Sequence, residues 1–414
     1  MSEPLVVIGN GMAAARFADE LSKRALGRYA VAVVGEEPRL AYNRVLLSAV
    51  LAGELASTEL ELKPPHWWRD RGITLRYGCR ATAIDAKART VTLGDGEALT
   101  FSKLVIATGS QPIKPPISGM ALPGVITFRD INDIWTIWHR AGSGDRVVVI
   151  GGGLLGLEAA YGLAKAGARV TVLHLMDRLM ERQLDTRAAA MLKRAVEAMG
   201  IEVILNADTA EITGHGRADA VVLKDGRTIE TDAVVVAIGI RPSAELARDA
   251  GLSVNRGIMV DDHMETSVSG IHAIGECAEH RGICYGLVEP AHEQARVLAD
   301  RLAGHCARYR GSVLATNLKV SGVNVFSAGD FLGAAGTEEI VLSDPGLGVY
   351  KKLVIADGRL AGAVLFGDTA DGLWYFDLIR SGASIEAIRD DLAFGRAMVE
   401  RIHAHCAASA RMAA

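Results

Sequence analysis

The sequence predicts an α/β fold: two parallel-sheet units, one inserted into the other, followed by an α+β segment. Three features predict it. The first is Val147-Val-Val-Ile150, four branched apolar residues that suit a buried parallel strand and run straight into Gly151-Gly-Gly153-Leu154-Leu155-Gly156 and a helix. The second is another such junction, Leu5 to Ile8 followed by Gly9-Asn-Gly11-Met12-Ala13-Ala14. The third is a change after about Tyr309 to closely spaced alternating strands.

Each fingerprint glycine has a physical reason. Gly151 allows a tight turn out of its strand, Gly153 lets backbone approach a pyrophosphate, and Gly156 lets the helix pack closely on the sheet. The exposed amides and the helix dipole favour an anion there. One such junction is a weak signal. Two, with the second set between halves of the first, imply two Rossmann-like domains and two dinucleotides. The N-terminal copy, followed by the strand end Ala107-Thr108-Gly109, suits FAD held permanently; the inserted copy suits a nicotinamide nucleotide, NAD(P)H, that comes and goes. The chemistry expected is hydride transfer from nicotinamide to flavin N5 and release of electrons to an acceptor, with the cofactors carrying the reaction.

Composition narrows the class. At 414 residues the chain has room for two or three domains, and half of it is hydrophobic without a run of about 18 apolar residues. The net charge of −4, from 45 basic and 49 acidic residues, argues against nucleic-acid or membrane binding. The N-terminus has neither a basic n-region nor a cleavage site, so a cytoplasmic protein is expected. Cys79, Cys277, Cys284, Cys306 and Cys406 fall at irregular spacings, which suggests free thiols and no metal site.

In chain order, a helix from about Met12 to Ala25 should pack through Ala15, Ala18 and Leu21, and a strand from Ala30 to Val34 ends at Gly35-Glu36. A carboxylate at that tip is where a ribose diol is held, which selects Glu36, with Glu37 as competitor. A small antiparallel ribbon is expected from Ile73 to Leu93, then the strand Leu104 to Ala107. Pro112, Pro115 and Pro116 mark a boundary. The inserted unit should contain a helix from Leu154 to Ala166 and a strand from Arg169 to Leu173, and end with the strand that reaches Ile238 and Gly239. His174 stands at the tip where an acidic residue is usual, leaving NADH and NADPH open, with Arg169, Arg178 and Arg182 as candidates for a 2′-phosphate. A third region carries Gly275-Glu276, His272 as a satisfied structural histidine within a strand, and His292 and Glu293 near a helix start as candidates for the cofactor's surroundings. Strands are expected at Ser321 to Phe326, Val349 to Ile355 and Leu360 to Phe366, the last two joined by an Asp357-Gly358 hairpin turn. Helices at Gly372 to Ser381 and Ser384 to Leu392 follow, then a helical or frayed tail. The expected domains are residues 1–112 and 239–308 for FAD, 113–238 for NAD(P), 309–395 as the α+β domain and 396–414 as tail.

These motifs together, with Glu36-Glu-Pro-Arg-Leu-Ala-Tyr-Asn-Arg44-Val-Leu-Leu-Ser48, Leu179-Met-Glu-Arg-Gln-Leu-Asp185, Ala273-Ile-Gly-Glu-Cys-Ala278 and Leu365-Phe-Gly-Asp-Thr-Ala-Asp-Gly372, resemble the flavoprotein part of assimilatory NAD(P)H-dependent nitrite reductases. The resemblance runs to about Gly395 and extends more distantly to rubredoxin and ferredoxin reductases of the glutathione-reductase-like class. It implies FAD contacts from Arg44 and Arg129, backbone contacts from Ala81 and Val288, and a ribityl ligand in Glu276, where the class usually has aspartate. Glu158 resembles a glutamate kept near flavin and nicotinamide and is the catalytic candidate; its usual lysine partner is replaced by Ala49.

The region after Glu36 lacks a Cys-x4-Cys, which excludes a disulfide-reductase mechanism, and the sequence does not continue into cysteine-rich iron–sulfur and siroheme regions. The expectation is therefore a free-standing NAD(P)H-oxidising flavoprotein, monomer or homodimer, that does not reduce nitrite itself but serves a redox protein acceptor: a nitrate or nitrite reductase or its iron–sulfur carrier. The rivals are a rubredoxin or ferredoxin reductase, an NADH oxidase or peroxidase, and a flavin-bound redox sensor.

Overall fold

The computed structural model describes residues 2–320 and 323–402. These form two compact units: one holds the residues up to Lys114, Arg129–Trp135 and Gly239–Ser312, the other Pro115–Phe128, Thr136–Ile238 and the described residues from Val313.

The first unit is built on a five-stranded parallel sheet in the order Ile271–Ala273, Lys103–Ile106, Glu3–Ile8, Tyr29–Gly35, Thr74–Tyr77. Leu5 and Val7 enter one core and Val6 and Ile8 the other, so both faces are covered and the strand is continuously apolar. Helices Met12–Ala25 and Val288–Leu302 pack together over one face, burying Phe17, Leu21 and Leu298. Each such side chain contributes roughly 1.5–3 kcal/mol. Thr74–Tyr77 is an edge strand of this parallel sheet and not the start of the ribbon, because Gly78, at φ +71° and donating to the Glu37 carbonyl, breaks the run. The ribbon comprises Ala81–Asp85, Thr90–Leu93 and Ala98–Thr100.

In the second unit a five-stranded parallel sheet runs in the order Glu202–Ile204, Arg169–Leu173, Arg146–Ile150, Ala233–Val236, Val125–Thr127. Helix Leu154–Lys165 ends before Gly167, at φ +95°. The residues from Ala315 form a five-stranded antiparallel sheet in the order Ala315–Val320, Val323–Gly329, Arg359–Phe366, Val349–Ala356, Glu338–Asp344, with helix Gly372–Ser381 over one face. Asp357 and Gly358 both have positive φ (49° and 65°) between the paired ends Ala356 and Arg359, the two-residue turn that an Asp-Gly step favours. The edge strands Ala315–Val320 and Glu338–Asp344 were not expected from the sequence. The last helix differs too: Glu386–Phe394 is a 3₁₀-helix. Ser321, Gly322 and the tail beyond residue 402, with Cys406, lie outside the described residues. The α/β class with two nucleotide-type sheets and a C-terminal sheet domain therefore stands.

Candidate functional site

Parallel pairing fixes the first site. Because strands Glu3–Ile8, Tyr29–Gly35, Lys103–Ile106 and Ile271–Ala273 all point the same way, their carboxyl ends bring Gly9, Glu36, Ala107 and Gly275 to one rim. Gly9 has φ +112°, and a Cβ there would lie 2.1 Å from the Ala107 carbonyl oxygen. Gly11 precedes helix Met12–Ala25, and a Cβ on it would meet nothing within 4 Å, so the backbone is open to a ligand. Ala14 is fully buried in the third position of the fingerprint, and Ala13 packs against Gly275, which has φ +82°.

Of the two competing carboxylates, Glu37 is engaged by the Arg44 guanidinium and by the Tyr42 hydroxyl at 2.8 Å. Glu36, with its side chain 68 % exposed, has only Arg80 as a partner among the described residues, at 3.5 Å. Arg44 also donates to the Arg129 carbonyl at 3.2 Å. Arg129 in turn is paired with Glu276 and donates to the Ser110 hydroxyl at 2.9 Å, while Ser110 Oγ donates to Glu276 Oε2 at 2.6 Å. Glu276 lies on a 3₁₀ turn, Gly275–Cys277, whose first amide donates to the Oε1 of fully buried Gln294 at 2.7 Å. The Ala107-Thr108-Gly109 end is fastened by Thr108 Oγ1 to the Ser243 carbonyl at 2.6 Å, and the following strand, Ser110–Pro112, pairs antiparallel with Ile240–Pro242. Ala81 starts the ribbon and Val288 the helix Val288–Leu302.

The second cradle repeats the first. Gly151 has φ +126° with the Ala237 carbonyl oxygen 2.3 Å from a Cβ; a Cβ on Gly156 would strike the Gly151 carbonyl oxygen at 1.9 Å, and one on Gly153 would meet nothing within 4 Å. Leu154 and Leu155 are the first helical residues, and Ile238 and Gly239 follow the strand Ala233–Val236. The residues present thus fit two dinucleotides: closed where the chain must turn, open where a phosphate must come close. Glu158, on the second turn of its helix, makes no ion pair or hydrogen bond among the described residues, and burial pushes its carboxyl up to about 7.

Two expectations are corrected here. Arg169 begins its strand, roughly 16 Å from the His174 end at about 3.3 Å per residue, and donates to the Gly144 carbonyl at 3.0 Å; it cannot meet a ribose 2′-phosphate. His272 is buried but not satisfied: neither ring nitrogen has a hydrogen-bond partner among the described residues, and burial pushes its pKa down to about 4. Glu293 accepts a hydrogen bond from the Ser312 hydroxyl within the same unit. Ser110 and Gln294 escaped sequence reasoning, although Ser110 directly follows the Ala-Thr-Gly signal; Gln294 carried none.

Cys79, Cys277, Cys284 and Cys306 are free, no described helix is long and apolar enough to cross a membrane, and no metal-binding cluster occurs among the described residues.

Residues 3–296 match the pyridine nucleotide-disulphide oxidoreductases, and residues 315–383 the rubredoxin NAD+ reductase C-terminal domain. The chain is 44 % identical over 92 % of its length to a nitrite reductase [NAD(P)H] of Bacillus subtilis (strain 168). It is 42 % identical over 89 % of its length to the assimilatory nitrate reductase electron transfer subunit of the same organism. It spans about half the length of these two relatives, 48 % of each. The crystal structure of the covalent putidaredoxin reductase–putidaredoxin complex superposes with a TM-score of 0.84 at 27 % identity, over 92 % of this chain and 94 % of that one. Members of the matched family bind FAD and NAD(P)H. With both cradles built from its own residues, this chain belongs to the pyridine nucleotide-disulphide oxidoreductase family.

Proposed function

We propose that this chain oxidises NAD(P)H through FAD and hands the electrons to a redox protein of nitrate or nitrite assimilation. The observation that supports this best is the pair of glycine cradles, one in each unit, in a chain whose first unit has no cysteine before Cys79. With Cys79, Cys277, Cys284 and Cys306 free and so no disulfide among the described residues to take them, the flavin's electrons pass outward. When bound, FAD supplies a two-electron acceptor for hydride and a donor of single electrons. The chain's own residues bind and orient: the open backbone at Gly11 and Gly153 receives the pyrophosphates, Glu36 accepts from ribose hydroxyls, and Arg44, Arg129 and Glu276 hold the rest of FAD. Ser110 fixes Glu276, and Glu158 keeps a proton available near neutral pH. We place the protein in the cytoplasm as a monomer or homodimer, which cell fractionation and light scattering check.

The match of residues 315–383 favours a second reading, a reductase of rubredoxin or ferredoxin. Turnover of the FAD-loaded protein with NADH and NADPH decides between them, using ferricyanide, a rubredoxin, a ferredoxin, and nitrate and nitrite reductase proteins as acceptors. Fast transfer to a nitrate or nitrite reductase protein supports the first reading. Turnover with rubredoxin or ferredoxin alone replaces it with the second.

A further inference from the structure

Strand Arg169–Leu173 ends at His174, where a dinucleotide-binding strand commonly presents a carboxylate to the adenosine ribose diol. The His174 ring is buried and held on both sides. Its Nδ1 lies 3.0 Å from the backbone nitrogen of Gly152, which can only donate, so Nδ1 accepts and the ring proton sits on Nε2. Nε2 lies 3.1 Å from Glu181 Oε2 and therefore donates to that carboxylate. The loop is fixed from a second direction: Met180 N–H donates to the Gly152 carbonyl at 3.0 Å, and Leu179 and Met180 are fully buried. Glu181 thus stands one imidazole ring away from the glycine loop, with its side chain 22 % exposed. The nearby cations face carboxylates: Arg178 bonds Asp177 at 3.0 Å, and Arg182, 85 % exposed, is 3.7 Å from Glu181 Oε1.

We propose that Glu181, aimed by His174, supplies the carboxylate missing from the strand tip and makes this site select NADH over NADPH. The inference rests on the assignment of this unit to NAD(P)H. A carboxylate accepts hydrogen bonds from a free ribose diol but repels a 2′-phosphate, and both ring nitrogens of His174 are already engaged, by Gly152 and by Glu181 itself. Glu181 is the specificity residue and His174 a positioning residue that acts through it.

Calorimetric titration of the FAD-loaded protein with NAD+ and with NADP+ tests this without relying on turnover. NAD+ should bind at least about tenfold more tightly, since one charge-assisted hydrogen bond contributes about that factor. Glu181→Gln, which keeps the shape, should cut the NAD+/NADP+ affinity ratio about tenfold. His174→Ala should lower the same ratio, whereas general damage to the cradle would weaken both nucleotides together. Equal or tighter NADP+ binding by the unaltered protein, or a ratio unmoved by Glu181→Gln, overturns the inference and leaves the NAD(P)H assignment standing. Failure to bind either nucleotide overturns both.

Discussion

Burial pushes the Glu158 carboxyl up to about 7 from an ordinary value of 4.5, so the folded protein keeps a proton that the unfolded chain has already lost. Between these values the native state binds more protons, and stability falls as pH rises through the window, levelling off above about 7. The full loss is on the order of 3 kcal/mol at 1.36 kcal/mol per pKa unit. Glu158→Gln should abolish this slope; urea unfolding of both proteins at pH 5 to 8 checks it, and parallel profiles would refute it. Gly151 answers to backbone geometry instead. With φ +126° and a carbonyl oxygen 2.3 Å from a Cβ, Gly151→Ala should cost about 1–3 kcal/mol and abolish nicotinamide nucleotide binding, measured by thermal melts and titration. The same contrast explains what was legible. Gly9, Gly11, Gly151 and Gly153 announce themselves by spacing because their roles lie in local turns. Gln294 and Ser110 act through contacts 19 and 166 residues away in sequence, and no local pattern encodes such partners. His174 stood out as a departure, but Glu181 became visible only when the loop closed on Gly152.

At the scale of elements, helices Met12–Ala25 and Leu154–Lys165 were legible because apolar spacing and flanking glycines agree. The edge strands were not: Glu338–Asp344 is half exposed along its length, so it lacks the apolar run or clean alternation that marks a buried strand. The Asp357-Gly358 turn carries a prediction. Gly358→Val forces a branched side chain to φ +65° and should lower the stability of the C-terminal sheet by about 1–2 kcal/mol, seen as faster amide exchange in Val349–Ala356 and Arg359–Phe366. A second prediction concerns Tyr350, whose hydroxyl donates to Asp185 Oδ2 at 2.5 Å, the residue that also caps helix Thr186–Ala198 through the Ala188 amide. A double-mutant cycle of Tyr350→Phe and Asp185→Asn should give a coupling of about 0.5–1.5 kcal/mol. Additive effects would show that sheet and cap are independent.

At the scale of the molecule, each unit draws on three stretches of chain. Every strand of the second unit's parallel sheet falls between Val125 and Val236, whereas the first unit's sheet is not complete until Ile271–Ala273 lies beside Lys103–Ile106. Synthesis on the ribosome therefore completes the inserted sheet first, and the edge of Lys103–Ile106 waits from its own synthesis to that of Ile271–Ala273, some ten to thirty seconds at about 5–20 residues per second. Nascent chains arrested with residue 250 clear of the exit tunnel should already protect the inserted segment from protease yet retain no FAD. Chains released past residue 312 should retain it. The cell would have to shield the unpaired edge of Lys103–Ile106 in the interval, so slowed translation between these points should raise aggregation more than slowing anywhere else in the gene.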